Sequence, residues 1–292
     1  MIVIRIWGGL GNQMFQYAMG YAKANEVNEE LRLDTTFYST KHNSRQTERT
    51  LDLFQLPIIC RNEIKTEKEI GLAIRLLKDP YVNYAIRKLL PIVFPVGRFT
   101  YIKEHKLEYV PRVSSLDKKN AYYDGYWHSD KYFVKYRDDL LKQFVYTNNN
   151  IEKAYHEMSQ GNSFETVAVH IRRGDYITQN NPNARGVDYY KDAISIIKQK
   201  ISNPIFCFFS DDLEWVKTNF EMIDNMALAN EKRNLNDIEE FQLMAKCHHQ
   251  IISNSSYSWW AAWLNDYKGK VIVAPKHWEN KKDMMREEWI KI

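Results

Sequence analysis

The nine residues Val167-Ala168-Val169-His170-Ile171-Arg172-Arg173-Gly174-Asp175 decide the fold. An apolar, β-branched run stops abruptly at one imidazole, two adjacent guanidiniums, a glycine and a carboxylate. A short run of this composition reads as a strand buried in a parallel sheet. Charged residues gathered at its carboxyl end fall where open α/β sheets bind their ligands. Two neighbouring arginines suit a dianion, because the guanidinium fork matches phosphate oxygens and keeps its charge. Surface ion pairing with nearby acids is the plainer reading, and local sequence leaves both open.

Toward the C-terminus, strand and helix alternate. A helix around Tyr189–Ile201 precedes the strand Ile205–Phe209. Ser210-Asp211-Asp212 follows, with Asp212 set to cap a helix carrying Leu213 and Trp215. Met226–Leu228 is a short strand, and Asp237-Ile238-Glu239-Glu240 has the acid spacing of a capping box. Ile251-Ile252 is a strand, Asn254-Ser255-Ser256-Tyr257-Ser258 leads into a helix at Trp259–Leu264, and Val271–Val273 closes the series. Such alternation predicts a mostly parallel sheet covered on both faces, a Rossmann-like domain over 151–292.

Toward the N-terminus, strand Ile2–Ile6, a glycine loop over Trp7–Gln13, a helix over Met14–Ala22 and strand Leu31–Asp34 open a second such domain, 1–150. The boundary falls somewhere in 146–165. Gly9 and Gly11 supply the first two glycines of a dinucleotide fingerprint, but Met14 holds the third position. That glycine permits close helix–strand packing, so its absence counts against a nicotinamide site. The loop can still bring backbone N–H groups close to a substrate. Between about 64 and 98, apolar residues interleave with Arg75, Lys78, Arg87, Lys88 and Arg98, and Pro80, Pro91 and Pro95 interrupt them. This predicts a helical insertion, read either as ordinary cover for the domain or as a basic amphipathic surface for membrane or a lipid-linked substrate. Tyr122–Trp127 is a strand leading to a loop, with Ser129 placed to cap a helix carrying Tyr132, Phe133, Tyr136, Leu140 and Leu141.

Composition narrows the function classes. The 292 residues suit two domains, and 44% hydrophobic content supports substantial cores. A net charge of +4 without a dense Lys/Arg run argues against nucleic acid and suits a small anionic ligand. The 3 cysteines, Cys60, Cys207 and Cys247, form no C-x-x-C, so neither a zinc site nor a disulfide framework is expected. Neither a leader nor a membrane-length apolar run is visible, so the cytosol is the expected compartment.

Asn254–Ser258 is the second informative loop. Several hydroxyls and N–H groups gather where a helix begins, which makes an anion site; simple capping by one serine is the alternative. If this loop shares a sheet edge with Arg172 and Arg173, the two could hold a diphosphate between them. No Asp-x-Asp occurs, and Asp211-Asp212 are adjacent rather than alternating. Neutralisation by arginine and helix dipole without metal is therefore the economical reading.

Gly8-Gly9-Leu10-Gly11-Asn12-Gln13-Met14-Phe15-Gln16-Tyr17-Ala18 strongly resembles the start of bacterial α-1,2-fucosyltransferases, glycosyltransferase family 11. Three further segments look like that family's motifs in the family's order: His170–Asp175, Phe209–Asp212, and the long stretch from Asp237 through Leu243, Met244 and Cys247 to Asn254–Trp260. The resemblance implies two facing Rossmann-like domains of the GT-B type, with GDP-β-L-fucose bound mainly by the C-terminal half. It implies an inverting transfer, without metal or other cofactor, that makes an α-1,2 bond to a terminal galactose or similar sugar of a glycan, a lipid-linked one included. By position, it assigns Arg172 to the β-phosphate, with Arg173 assisting or bracing the loop. His170 and Asp175 would shape the nucleotide pocket, Asp211 or Asp212 would contact guanine or ribose, Ser255 and Ser256 the diphosphate, and Ser210 and Asn254 would also bind the nucleotide. Asn12, in the loop of Gly9 and Gly11, would face fucose or acceptor, with Gln13 nearby. Tyr126, Trp127 and His128 lie in another segment similar to family members. The implied location is cytoplasmic, peripheral on the inner membrane face if 64–98 makes contact. Another fucosyl linkage, α-1,6 or protein O-linked, and a non-catalytic glycan-binding protein are the alternatives.

Overall fold

The computed structural model describes residues 1–39, 49–78, 93–161, 164–231, 234–278 and 281–292. The chain divides into two compact units, Met1–Gln143 and Phe144–Ile292. The division lies just ahead of the 146–165 window, because helix Asn149–Met158 belongs to the second unit.

In the first unit, β1 (Ile2–Arg5), β2 (Leu31–Asp34), β3 (Glu63–Ile64), β4 (Val93–Val96), β5 (Phe99–Lys103) and β6 (Ala121–Asp124) form one sheet in the order β3-β2-β1-β6-β5-β4. All neighbours run parallel except β4 and β5. Ile2, Val3 and Ile4 of β1 are fully buried, as a central parallel strand requires. Helix Leu10–Val27 starts at Leu10, after the N-cap Gly9, rather than near Met14, and is closed by the C-cap Asn28, whose φ of 51° is left-handed. The close approach that Met14 denies is supplied two turns later. A Cβ on Gly20 would sit 2.8 Å from Ile4 Cγ2 and 2.9 Å from Leu31 Cδ1.

The segment 64–98 departs from a purely helical insertion. Leu72–Lys78 is helical, but Val93–Val96 is an edge strand pairing with β5, and Pro95 sits within it. An edge strand accommodates proline because one side of its backbone needs no ladder partner. Pro80 and Pro91 lie outside the described residues. The helix expected after Ser129 is also shorter. Two 3-10 turns, Asp130–Tyr132 and Val134–Tyr136, precede helix Arg137–Phe144, and the Ser129 side chain makes no cap.

In the second unit, β7 (Glu165–Ile171), β8 (Pro204–Ser210), β9 (Met226–Leu228), β10 (His249–Ile251), β11 (Ile272–Ala274) and β12 (Ile290–Lys291) form a sheet in the order β12-β11-β10-β7-β8-β9, every pair parallel. Counted from β7, that is the doubly wound order 3-2-1-4-5-6, which reverses between β7 and β10. Val167, Val169, Phe206 and Phe208 form its core with Tyr190, Ala193 and Ile197 of helix Val187–Lys200. The capping box before Phe241 is built by Asn236, not Asp237. Asn236 Oδ1 accepts from Glu239 N at 2.9 Å, and Glu239 Oε2 accepts from Asn236 N at 3.1 Å. Among the described residues, no helix is long and apolar enough to cross a membrane.

Candidate active site

The loops after β7 and β10 leave adjacent parallel strands at the reversal of strand order, the position at which doubly wound sheets bind their ligands. His170, the penultimate residue of β7, is buried, and its Nδ1 shares a 2.8 Å hydrogen bond with Ser253 Oγ. Burial first, then the Arg172 charge, pushes its pKa down to about 3, so the imidazole is neutral at ordinary pH. Arg172 follows, with 29% of its side chain exposed and Nη1 2.9 Å from Asp211 Oδ2. Arg173 is held by the next acid and by a ring. Its Nε donates to Asp212 Oδ2 at 3.0 Å, and its guanidinium lies 4.1 Å from the Trp215 ring centre.

The Ser210–Asp212 loop, after β8, therefore braces the arginines. Asp211 Oδ1 also accepts from Arg173 N at 2.9 Å, and a Cβ on Gly174 would meet Asp211 Oδ2 at 2.9 Å. The glycine of the motif makes room for that carboxylate. Asp212 caps helix Leu213–Phe220 by accepting from Trp215 N at 3.1 Å, while Ser210 Oγ accepts from Asp212 N at 3.0 Å. The Arg173 hydrogen bond is the main cause that holds the Asp212 carboxyl below its ordinary range. Gly174–Thr178 is a short helix containing Asp175, whose side chain lies outside the described residues.

After β10, Ser255 is the N-cap of helix Ser256–Leu264 and accepts from Tyr257 N at 3.3 Å. Ser256 is its half-buried first residue. Asn254 is fully buried, and its Nδ2 donates to Asn183 Oδ1 at 3.1 Å and His277 O at 2.8 Å. Its Oδ1 has no hydrogen-bond partner among the described residues. A buried acceptor of this kind suits a hydroxyl or N–H from a ligand.

The first unit has its own reversal, between β1 and β6. Gly9 N-caps the helix that contains Gly11, and Gly8, at φ 82°, approaches the Asn12 side chain so closely that a Cβ would lie 2.9 Å from its Nδ2. Gln13 and Gln16 fix this loop. Gln13 Nε2 donates to Gly8 O at 2.9 Å and Thr50 O at 2.8 Å, and its Oε1 accepts from Leu53 N at 2.8 Å. Gln16 Oε1 accepts from Trp7 N at 2.9 Å. Gln13 is thus a staple whose amide is engaged by the protein. Asn12 Oδ1 lies 3.0 Å from His128 Nε2. An amide oxygen only accepts, so Nε2 carries the proton. Trp7 stacks on Tyr126 with ring centres 4.1 Å apart, and Tyr126 on His128 at 5.0 Å.

Beneath these loops, Asp124 is fully buried and accepts from Arg5 at 3.1 Å, Lys103 at 2.6 Å and Tyr101 at 2.5 Å. Burial would raise its pKa, but the Arg5 and Lys103 charges outweigh burial and hold it well below the carboxylate range. Asp34, also fully buried, accepts from Lys78 at 2.8 Å and from Tyr122.

The family model for glycosyl transferase family 11 matches residues 1–292. The chain belongs to glycosyltransferase family 11. It is 30% identical over 310 residues to an alpha-1,2-colitosyltransferase of Escherichia coli, covering 100% of this chain and 99% of that protein. It is 24% identical over 276 residues to the galactoside 2-alpha-L-fucosyltransferase Sec1 of Mus musculus, covering 90% of this chain and 64% of that protein. The crystal structure of the fucosyltransferase NodZ from Bradyrhizobium superposes with a TM-score of 0.51 at 11% identity, over 89% of this chain and 91% of that one. At that identity the likeness speaks for the fold, two Rossmann-like units of the GT-B class.

Two residues of this family 11 enzyme escaped the sequence reading. Ser253, next to the recognised Asn254, holds His170. Glu104 accepts from Tyr126 N at 2.6 Å and Trp127 N at 3.0 Å, and its signal was hidden because Phe99–Lys103 was not read as a strand. A lone acid just past a strand's carboxyl end is the pattern that would have exposed it.

Proposed function

We propose that this glycosyltransferase moves L-fucose from GDP-β-L-fucose to the 2-hydroxyl of a terminal galactose, or a similar sugar, of a glycan, forming an α-1,2 bond with inversion. The observation that carries the reading is the placement of Arg172 and the Asn254–Ser256 helix start just past the carboxyl ends of adjacent strands, on either side of the reversal of strand order. A guanidinium and a helix N-terminus together suit a diphosphate. In the transfer, the acceptor oxygen bonds to the sugar's anomeric carbon while the bond to the β-phosphate oxygen breaks, and the hydroxyl proton is released to solvent. Negative charge grows on the leaving GDP, so Arg172 acts more strongly on the transition state than on the ground state.

His170 enters as a neutral ring shaping the pocket. Asn12 enters as an orienter of the attacking hydroxyl, since an amide is not a base. Its Oδ1 accepts from His128 Nε2, which fixes the orientation of the amide. Arginine and helix start supply the positive charge, and the proposal uses no metal. Peripheral contact with the inner membrane face belongs to the same proposal, supported by Leu72 and Leu76, 69% and 50% exposed on the helix that carries Arg75.

The test is incubation with GDP-fucose and a panel of galactosides in the presence of EDTA. GDP release that depends on acceptor supports the proposal; none with any acceptor, with or without metal, would sink it. A colitosyl donor is the second reading, favoured by the 30% identity to an alpha-1,2-colitosyltransferase along the whole chain. Competition between GDP-fucose and GDP-colitose separates the two.

A further inference from the structure

The Asn12–His128 contact depends on a loop with an unusual backbone. Trp127 has φ 60°, a left-handed conformation that a bulky side chain adopts only when its surroundings hold it there. Glu104 is the side chain that holds this conformation, one carboxylate oxygen on each of two successive N–H groups. Gly125 is its complement: a Cβ there would lie 2.4 Å from Glu104 Cβ. The loop's rings are already committed. Arg5 lies 5.4 Å from the Trp7 ring centre, Trp7 stacks on Tyr126, and Tyr126 stacks on His128.

We propose that Glu104 is a positioning residue for the transfer, a latch whose two hydrogen bonds set the Gly125–His128 loop and so hold His128 against Asn12. The inference rests on the proposed role of Asn12 at the acceptor. The latch needs the ionised carboxylate, because a protonated one loses an acceptor site where a second N–H must bind. The charged groups facing Glu104 are Lys103 on its own strand and Asp124, already paired with Arg5, on the neighbouring one. Around a cavity of about 140 Å³ that it lines are His105, Lys106 and Glu108. Burial is the largest influence and raises its pKa to about 7, against the two amides, which lower it. Protonation therefore loosens the latch as pH falls through neutrality.

Hydrogen exchange on the wild-type protein reads the latch without a variant. After correction for the intrinsic rate, the amides of residues 125–128 are expected to lose roughly tenfold in protection between about pH 8 and pH 6. Protection that does not change with pH overturns the proposal. In the activity arm, Glu104→Gln puts an amide NH2 against a backbone donor. It is expected to lower kcat/KM for the acceptor by roughly tenfold or more, to remove an acidic limb near pH 7, and to leave GDP affinity unchanged. Wild-type kcat/KM with the limb retained overturns it. If Glu104→Gln does not fold, wild-type exchange decides. An inactive wild type would refute the transfer reading instead, and the exchange result would still stand or fall by itself.

Discussion

Arg172 Nη1 lies 2.9 Å from the Asp211 carboxylate, which also accepts the Arg173 backbone N–H at 2.9 Å. One acid thus orients the guanidinium and fixes the turn that follows it. An arriving diphosphate can take over that charge without moving the loop, since Asp211 keeps its bond to the backbone. Preorganisation of this kind is where electrostatic catalysis has most of its effect. Replacement Arg172→Ala is expected to lower kcat by about 100- to 1,000-fold, the usual cost of removing one such donor, with an unchanged far-UV spectrum. Arg173→Ala is expected to cost less in kcat, because Arg173 is engaged by Asp212 and Trp215. Steady-state kinetics of both variants check the order; equal losses would contradict it.

On the proposed function, Asn12 serves the acceptor and not the donor. Asn12→Ala removes the amide that contacts His128 and is expected to reduce kcat/KM for the acceptor by roughly 10- to 100-fold. GDP affinity, measured by calorimetry, should stay within about twofold of wild type. A comparable loss in GDP affinity would place Asn12 on the nucleotide instead.

His170 gives a pH signature in stability. Its pKa is about 3 in the folded protein, below the ordinary 6.5 of an unfolded chain. The unfolded state then binds more protons between those values, so stability is complete above pH 6.5 and falls as pH drops toward 3. The slope approaches about 1.4 kcal/mol per pH unit for one proton. Urea unfolding of wild type and His170→Gln at about pH 5 and pH 7 isolates it, the variant being less sensitive to acid. Parallel pH dependences in the two proteins would refute the assignment.

Gly20 tests the packing of the first unit. Gly20→Ala forces a Cβ to 2.8 Å from Ile4 Cγ2 and 2.9 Å from Leu31 Cδ1, both core side chains with little room to move. The expected cost is about 1–3 kcal/mol, read as a lower urea midpoint with an unchanged slope. A midpoint at or above that of wild type would mean the helix can lift from β1.

The parallel strands were legible because burial on both faces leaves an unbroken apolar run, as in Val167–Ile171 and Ile205–Phe209. The two loops at the second reversal were legible because polar residues cluster at the ends of those runs. Three features were not. Val93–Val96 reads as a broken helix because an edge strand needs no period-two pattern around Pro95. Gln13 reads only as a neighbour of Asn12, and its three bonds to Gly8, Thr50 and Leu53 close only in three dimensions. Pairing of the arginines with acids was open from the sequence, but that Asp211 takes Arg172 and Asp212 takes Arg173 spans two strands and shows only in three dimensions.

The central claim is transfer to a 2-hydroxyl, and linkage analysis of the product tests it most directly. With GDP-fucose, a galactose-terminated acceptor and EDTA, the account predicts a single new fucose attached α-1,2 to galactose. A fucosylated product carrying any other linkage would contradict it.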